Sequence, residues 1–231
     1  MAAGNRIYLK RHLPSKEVIE RLRKIPVATI GDCMGRNCAL HHTIHLMTSP
    51  VENMCGPALT VHSLGADNLY FHRALDMAVE GDVIIVDTNG CETNSLIGEN
   101  IVCNAVYKKL GGLVFESPIR DIDGVSKVQL PIYSIGTTPG GPHKCGPGEI
   151  NTPISCGGVS VNPGDIIVGD KDGVIVVPRL FAEEICAAAE KYYIEDMKSQ
   201  QAAKDGSWNR DWVEQKLKAT GVEIIDDYCP Y

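Results

Sequence analysis

The sequence has no surplus of positive charge. Its 22 lysines and arginines are outnumbered by 29 aspartates and glutamates, giving a formal net charge of −7. No basic stripe is available to neutralise a phosphate backbone, so nucleic acid is disfavoured as the main ligand. Long apolar runs are missing too. No stretch approaches the ~20 residues that a helix needs to cross a bilayer. The opening residues, Met1 to Lys10, have no apolar core of signal-peptide length. The expectation is a cytoplasmic protein with no membrane partner. A disulfide framework is also absent. The nine cysteines, at 33, 38, 55, 91, 103, 145, 156, 186 and 229, are odd in number and form no CxxC. A chain of this size folds without staples, so they are expected to be reduced, mostly as small buried apolar side chains. There is no internal repeat and no low-complexity segment. The Gly/Pro-rich stretch from Gly136 to Gly148 holds neither a Walker lysine–serine pair nor a G-x-G-x-x-G, so it reads as a connection rather than a phosphate cradle.

What is present is ordinary globular material: 231 residues, 44% hydrophobic and 22% charged. That length suits one compact domain, here placed at residues 1–205, with an extension over 206–231. Ser15 is placed to cap a helix whose Val18, Leu22 and Ile25 share a face before Pro26 stops it. A second helix starts near Thr29, and His41 to Pro50 reads as a loop. Asn68 to Val79 carries helical spacing, with Leu69, Leu75 and Met77–Ala78 near one side. Val83-Ile84-Ile85-Val86 is the short continuous apolar run of a buried strand. A helix beginning at Gly98-Glu99 repeats Ile101, Val102, Ala105, Val106 and Leu110, and Gly111 ends it. Leu113-Val114-Phe115 is the next strand, leading to Arg120-Asp121. Strand, helix and strand in one stretch predict a crossover and a parallel pair.

The second half is β-rich. Val159–Val161, Ile166–Val168 and Val174–Val177 read as strands, with Asp172-Gly173 as a hairpin signal between the last two. Helix returns from Phe181 to Ala203, and Trp208, Trp212 and Leu217 mark a further short amphipathic helix. The fold class is α/β.

The candidate chemistry lies in Glu99 and Arg120-Asp121, with twenty residues between Glu99 and Arg120. Open α/β sheets bind ligands at the carboxyl ends of their strands. The spacing brings the amides of Gly98, Glu99, Asn100 and Ile101, at a helix start suited to anions, near an arginine and two carboxylates. An arginine offers a planar fork to a carboxylate or enolate oxygen, and two carboxylates suit a hard divalent cation. The plainer reading is a surface ion pair after a strand, worth ~0–1 kcal/mol.

Several segments together carry a resemblance. Gly65-Ala66-Asp67-Asn68-Leu69, Gly81-Asp82-Val83-Ile84-Ile85-Val86-Asp87, Gly98-Glu99-Asn100-Ile101 and Pro118-Ile119-Arg120-Asp121 occur in that order. Gly157-Gly158-Val159-Ser160-Val161-Asn162-Pro163-Gly164-Asp165 and Asp170-Lys171-Asp172-Gly173-Val174-Ile175-Val176-Val177-Pro178 follow. Over about residues 25–200 the chain resembles the RraA-like family, which contains the class II 4-hydroxy-4-methyl-2-oxoglutarate aldolases and the regulator of ribonuclease E activity A. The resemblance implies a compact α/β/β-type domain assembled as a homotrimer or homohexamer, with sites between subunits. It implies a lyase that uses Mg²⁺ or Mn²⁺ to release pyruvate from a small 2-oxo acid or to decarboxylate oxaloacetate. Carried over by position, Asp121 ligates the metal directly, Glu99 holds it through water, and Arg120 meets the C2 oxygen as it becomes an enolate. The Gly98, Glu99, Asn100 and Ile101 amides take the carboxylate. Glu195, from a neighbouring subunit, is a weaker third candidate. The alternative in the same family is a non-catalytic regulatory protein, and a sugar-acid isomerase would use the same enolate chemistry.

Three further signals read as structural. His41, His42 and His45 have zinc-like spacing but no helical context, so a loop with solvated histidines is expected. Asp67 stands near a helix N-cap. Cys91 and Cys103 flank the candidate site without a local histidine partner to activate either thiol.

Overall fold

A computed structural model describes residues 4–65 and 67–230; Met1–Ala3, Ala66 of the Gly65–Leu69 segment, and Tyr231 lie outside it. In chain order the first elements are β1 (Arg6–Ile7), α1 (Lys16–Leu22), α2 (Val27–Asp32), β2 (His45–Leu46), β3 (Met54–Ser63) and α3 (Leu69–Met77). Then come β4 (Val83–Asp87), α4 (Glu99–Tyr107), β5 (Gly112–Phe115), α5 (Ile122–Val125), β6 (Ile132–Ser134) and β7 (Gly148–Ile150). The last are β8 (Ile154–Cys156), β9 (Val159–Val161), β10 (Ile166–Asp170), β11 (Gly173–Val177), α6 (Ala182–Asp205) and α7 (Asp211–Ala219). The chain divides into two units, Met1–Glu190 and Lys191–Tyr231. The division falls inside α6, upstream of the 205/206 boundary read from sequence. No helix among the described residues is long and apolar enough to cross a membrane.

The first unit is a three-layer α/β/β structure. Its main sheet runs β1-β7-β3-β4-β5-β6-β2, and β3, β4, β5 and β6 are mutually parallel, as the strand–helix–strand reading requires. The alternation along these strands explains both covered faces. Leu59, Val61, Ile84, Val86, Leu113 and Phe115 pack with Phe71, Ala74, Val102 and Ala105 of α3 and α4. Ala58, Val83, Ile85 and Val114, with intervening positions, face the other way onto Ile154, Cys156, Val161, Ile167, Val174 and Val176. The central residues of these strands are therefore apolar on both parities for a physical reason: one parity meets helices, the other meets β-hairpins.

Several local expectations change. The longest strand, β3, has no counterpart in the sequence reading, and β2 lies in the segment read as loop. Leu69 and Val106 turn out to be exposed, while Phe71 and Ala74 supply the buried face of α3. The cysteines stay free, but only Cys38, Cys55, Cys156 and Cys186 are buried. Ser15 does cap α1, its hydroxyl accepting from the Val18 amide at 3.2 Å. The segment before α1 is tied to the sheet by Arg11, whose guanidinium pairs with Asp82, the residue before β4; their side chains are 10% and 2% exposed.

Candidate active site at the carboxyl ends of the strands

The parallel strands end on one side of the sheet, and the site assembles there. After β5 the chain continues through Glu116 to Arg120, held by the adjacent loop. The Leu96 amide donates to Pro118 O at 3.0 Å, and the Arg120 amide donates to Ile97 O at 3.0 Å. Asp121 then takes φ +59°, ψ +38°, a left-handed conformation that Asp tolerates better than most side chains. In a continuing strand, consecutive side chains would point to opposite faces. The left-handed turn instead lets Arg120 and Asp121 both approach Gly98, the residue before α4. Asp121 Oδ2 accepts from the Glu99 amide at 3.1 Å and lies 3.6 Å from Arg120 Nε.

Glycine makes this convergence possible. A Cβ on Gly98 would overlap Asp121 Oδ2 and stand 3.0 Å from Arg120 Nε. A Cβ on Gly141 would lie 2.9 Å from Arg120 Nη1, so the guanidinium runs between two positions that bear no side chain. A Cβ on Gly124 would overlap the Glu99 carboxylate, which places that carboxylate against α5. Arg120 and Asp121 remain 44% and 46% exposed, open to a small ligand. The structure thus brings Gly98, Glu99, Arg120 and Asp121 together. Gly124 and Gly141 escaped the sequence reading; the only available signal was a glycine within the Gly-rich connection and another four residues beyond Arg120.

The helix start already receives a carboxylate oxygen, that of Asp121. The Ile101 amide is engaged as well, donating to Gly98 O at 3.1 Å. A substrate carboxylate spread over the Gly98–Ile101 amides therefore requires Asp121 to release the Glu99 N–H.

The donor set bears on a metal. Asp121 and Glu99 offer hard carboxylate oxygens, and among the described residues no group of three or more His, Cys, Asp or Glu converges. This suits Mg²⁺ or Mn²⁺, which are bound through one or two carboxylates and keep several waters, and does not suit zinc. The histidine cluster is no alternative centre: His41 and His45 are exposed and bond locally, to the Thr43 hydroxyl at 2.9 Å and Thr43 O at 2.8 Å. Asp67 is buried, and its Oδ1 accepts the Leu69 amide at 2.9 Å, a capping role. Glu195 belongs to the second unit, Lys191–Tyr231, where its carboxylate accepts from Lys198 Nζ at 2.7 Å.

A cavity of about 680 Å³ lies on the same end of the sheet and is lined by residues that include His41, Glu92, Glu116, Pro118, Thr137 and Gly157. Burial holds the Glu116 carboxyl above its ordinary range, helped by Asp87 and opposed by the Gly157 amide. Asp87 itself pairs with His62 Nδ1 at 2.8 Å. Burial also raises the Cys91 thiol, but the Asn94 and Thr93 amides and the Thr93 hydroxyl outweigh it and leave the thiol below its usual value.

Residues 27–176 match the model of the RraA-like family, described as Aldolase/RraA. The chain belongs to the RraA-like family. It is 36% identical over 189 residues to a Halalkalibacterium halodurans protein named "Putative 4-hydroxy-4-methyl-2-oxoglutarate aldolase", covering 82% of this chain and 90% of that one. Among solved structures, Streptomyces coelicolor RraAS2, an unusual member of the RNase ES inhibitor RraA protein family, aligns with a TM-score of 0.73 at 25% identity over 83% of this chain and 99% of that one. The RNA-processing inhibitor RraA from Thermus thermophilis aligns with a TM-score of 0.62 at 25% identity, covering 67% and 93%. The RraA-like fold is thus shared, and the names of the curated relatives support an aldolase-type lyase.

Proposed function

We propose that this RraA-like protein is a divalent-metal-dependent carbon–carbon lyase for a small 2-oxo acid, acting by retro-aldol release of pyruvate or by decarboxylation of oxaloacetate. The observation that carries the reading is the approach of Arg120 and Asp121 to Gly98 at the start of α4. Both reactions leave an electron pair on the carbon next to the 2-oxo group, and the charge spreads to the C2 oxygen. Arg120, confined between Gly98 and Gly141, presents its guanidinium to that oxygen, and the contact strengthens as charge develops. With the Glu99 N–H released by Asp121, the first turn of α4 takes the substrate carboxylate through its amides. Asp121 would hold Mg²⁺ or Mn²⁺ directly and Glu99 would hold it through water. When bound, the ion supplies Lewis-acid polarisation of the 2-oxo group.

The same proposal includes assembly. Ile194, Met197, Trp208, Trp212, Ile224 and Tyr228 of the second unit are exposed side chains with large apolar surfaces, which a subunit contact would cover. We assign them to a homotrimer or homohexamer, in which Glu195 reaches a neighbour's site. The rival reading, a non-catalytic regulator, draws on two solved relatives whose names call them inhibitors of RNA processing or of RNase ES.

The test is pyruvate release over a panel of 2-oxo acids, with and without EDTA, for the wild type and Arg120→Ala. The expected result is activity abolished by EDTA, restored by Mg²⁺ or Mn²⁺, and lowered about 10²–10³-fold in kcat by Arg120→Ala. Full activity in metal-stripped protein, or a fall below about tenfold in folded Arg120→Ala, refutes the mechanism. No turnover of any 2-oxo acid favours the regulator.

A further inference from the structure

Asn68 precedes α3 at the N-cap position, where an Asn side chain ordinarily accepts a hydrogen bond from the helix's own first turn. Here it makes no capping bond. The Asp67 carboxylate takes that task, accepting the Leu69 amide. The Asn68 amide turns away instead, and Nδ2 donates to Leu96 O at 2.9 Å. Asn68 is 2% exposed and Leu96 is fully buried, so the Leu96 carbonyl needs a protein partner. The arrangement has a cost, because Asn68 Oδ1 is buried without a partner among the described residues. An apolar side chain would avoid that cost but leave Leu96 O unpaired.

The Leu96 carbonyl matters because of what adjoins it. The Leu96 amide holds Pro118 O, and Ile97 O holds the Arg120 amide. Ser95 and Asn94 bind Gly140 O and Gly141 O, the loop that borders the Arg120 guanidinium. Asn68 and its neighbour also secure the segment beyond that loop: the Asn68 amide donates to His143 O at 3.0 Å, and Asp67 Oδ2 accepts from the Cys145 amide. One buried residue thus bonds through its side chain to a strip of backbone that frames Arg120, and through its own backbone N–H to the segment beyond the Gly141 loop.

We propose that Asn68 is a positioning residue: its bond to Leu96 O fixes the 94–98 strip, and through it the backbone of Arg120 and the start of α4. Its catalytic consequence rests on the lyase reading above; its structural consequence does not. Asn68→Asp keeps the size of the side chain but replaces the donor with an oxygen facing Leu96 O. Asn68→Ala removes the donor without adding charge, and serves if the first variant does not fold.

Two measurements separate the proposal from the reading on which it rests. Hydrogen exchange needs no activity. Protection over residues 96–102 and 119–121 is expected to fall at least about tenfold, while β4 and β5 keep theirs. Unchanged protection, or an equal loss in β4 and β5, overturns the proposal. If wild type turns over a 2-oxo acid, Asn68→Asp is expected to lower kcat at least about tenfold with KM within about twofold, since a misplacement near 1 Å costs on the order of 10²-fold. In an Arg120→Ala background the same change is expected to cost clearly less than in the wild type, because one of the groups being positioned is gone. Equal losses in both backgrounds, or an effect confined to KM, overturn it. A wild type inactive on every 2-oxo acid sinks the lyase reading and leaves hydrogen exchange to decide on Asn68.

Discussion

Gly98→Ala tests the site without replacing a charged group. Gly98 has φ −139° and ψ −171°, extended backbone that alanine adopts without strain. Restricting the unfolded chain at such a position stabilises by about 0.4–1 kcal/mol. Against this stands the new methyl, which overlaps Asp121 Oδ2 and presses on Arg120 Nε and Cγ. Asp121 must retreat by about 1 Å and surrender the Glu99 amide, a charge-assisted bond worth roughly 1.5–3 kcal/mol when buried. The displaced side chains are nearly half exposed, so water recovers much of that loss. The opposing effects leave stability within about 1–2 kcal/mol of wild type, a shift of a few degrees in Tm for a domain of this size. Activity has no such compensation. An Asp121 displaced by about 1 Å and an Arg120 pushed from its channel are expected to lower kcat by at least 10²-fold. Mn²⁺ affinity, read by calorimetry, is expected to fall in parallel. Gly31→Ala is the control, because its Cβ meets nothing within 4 Å. Folded Gly98→Ala with kcat within about tenfold of wild type would refute the cradle, since that is only ~1.4 kcal/mol of barrier.

Arg11→Met is expected to destabilise by about 3 kcal/mol in urea unfolding, because it leaves the buried Asp82 carboxylate without its charged partner, with only the Val79 amide still donating to it; a loss under about 1 kcal/mol contradicts this. Glu116 binds its proton more tightly folded than unfolded, so its contribution is present below the unfolded pKa and lost as pH rises through the folded one. Glu116→Gln, which can keep the bond from Gly157, is therefore expected to raise Tm at pH 7, with the gain vanishing at acid pH; a pH-independent gain counts against the assignment. Glu149 is the opposite case: the bond from Arg6 holds its carboxyl below the ordinary range. Its contribution is present above the unfolded pKa and lost as pH falls through the folded one, so Glu149→Gln is expected to lower Tm at pH 7 and match wild type in strong acid.

The crossover from β4 through α4 to β5 was legible because both strands are buried on two faces and the helix between them is amphipathic. Ser15 was legible because capping is local chemistry. The longest strand, β3, was not. Gly56-Pro57 breaks its pattern, yet Gly56 is required there because a Cβ would run into Gly81 O. Pro57 stands opposite Ile166, near the end of the β3–β10 pairing. Both residues answer to neighbours remote in sequence, which no local pattern records. The exposed positions of α3 and α4 were misjudged for a related reason: spacing identifies a helix face, but only the sheet beneath decides which apolar residues it covers.

The site divides in the same way. Glu99, Arg120 and Asp121 could be picked out because strand ends and helix starts are predictable places for chemistry. What holds them was invisible. Gly124 and Gly141 are defined by the side chains that pass over them, and Asn68 by a carbonyl 28 residues away. Even Asp121 carries a meaning that its residue type does not disclose. Its carboxylate bonds the start of α4 while its left-handed backbone turns the chain so that Arg120 can lie beside it. Removing the charge and releasing the turn are separate perturbations, which Asp121→Ala confounds. Asp121→Asn removes the charge and keeps a side chain that tolerates φ above zero. The charged atoms of this site can be read from a sequence; the backbone that aims them is set by contacts from α3, α5 and the loop at Gly141.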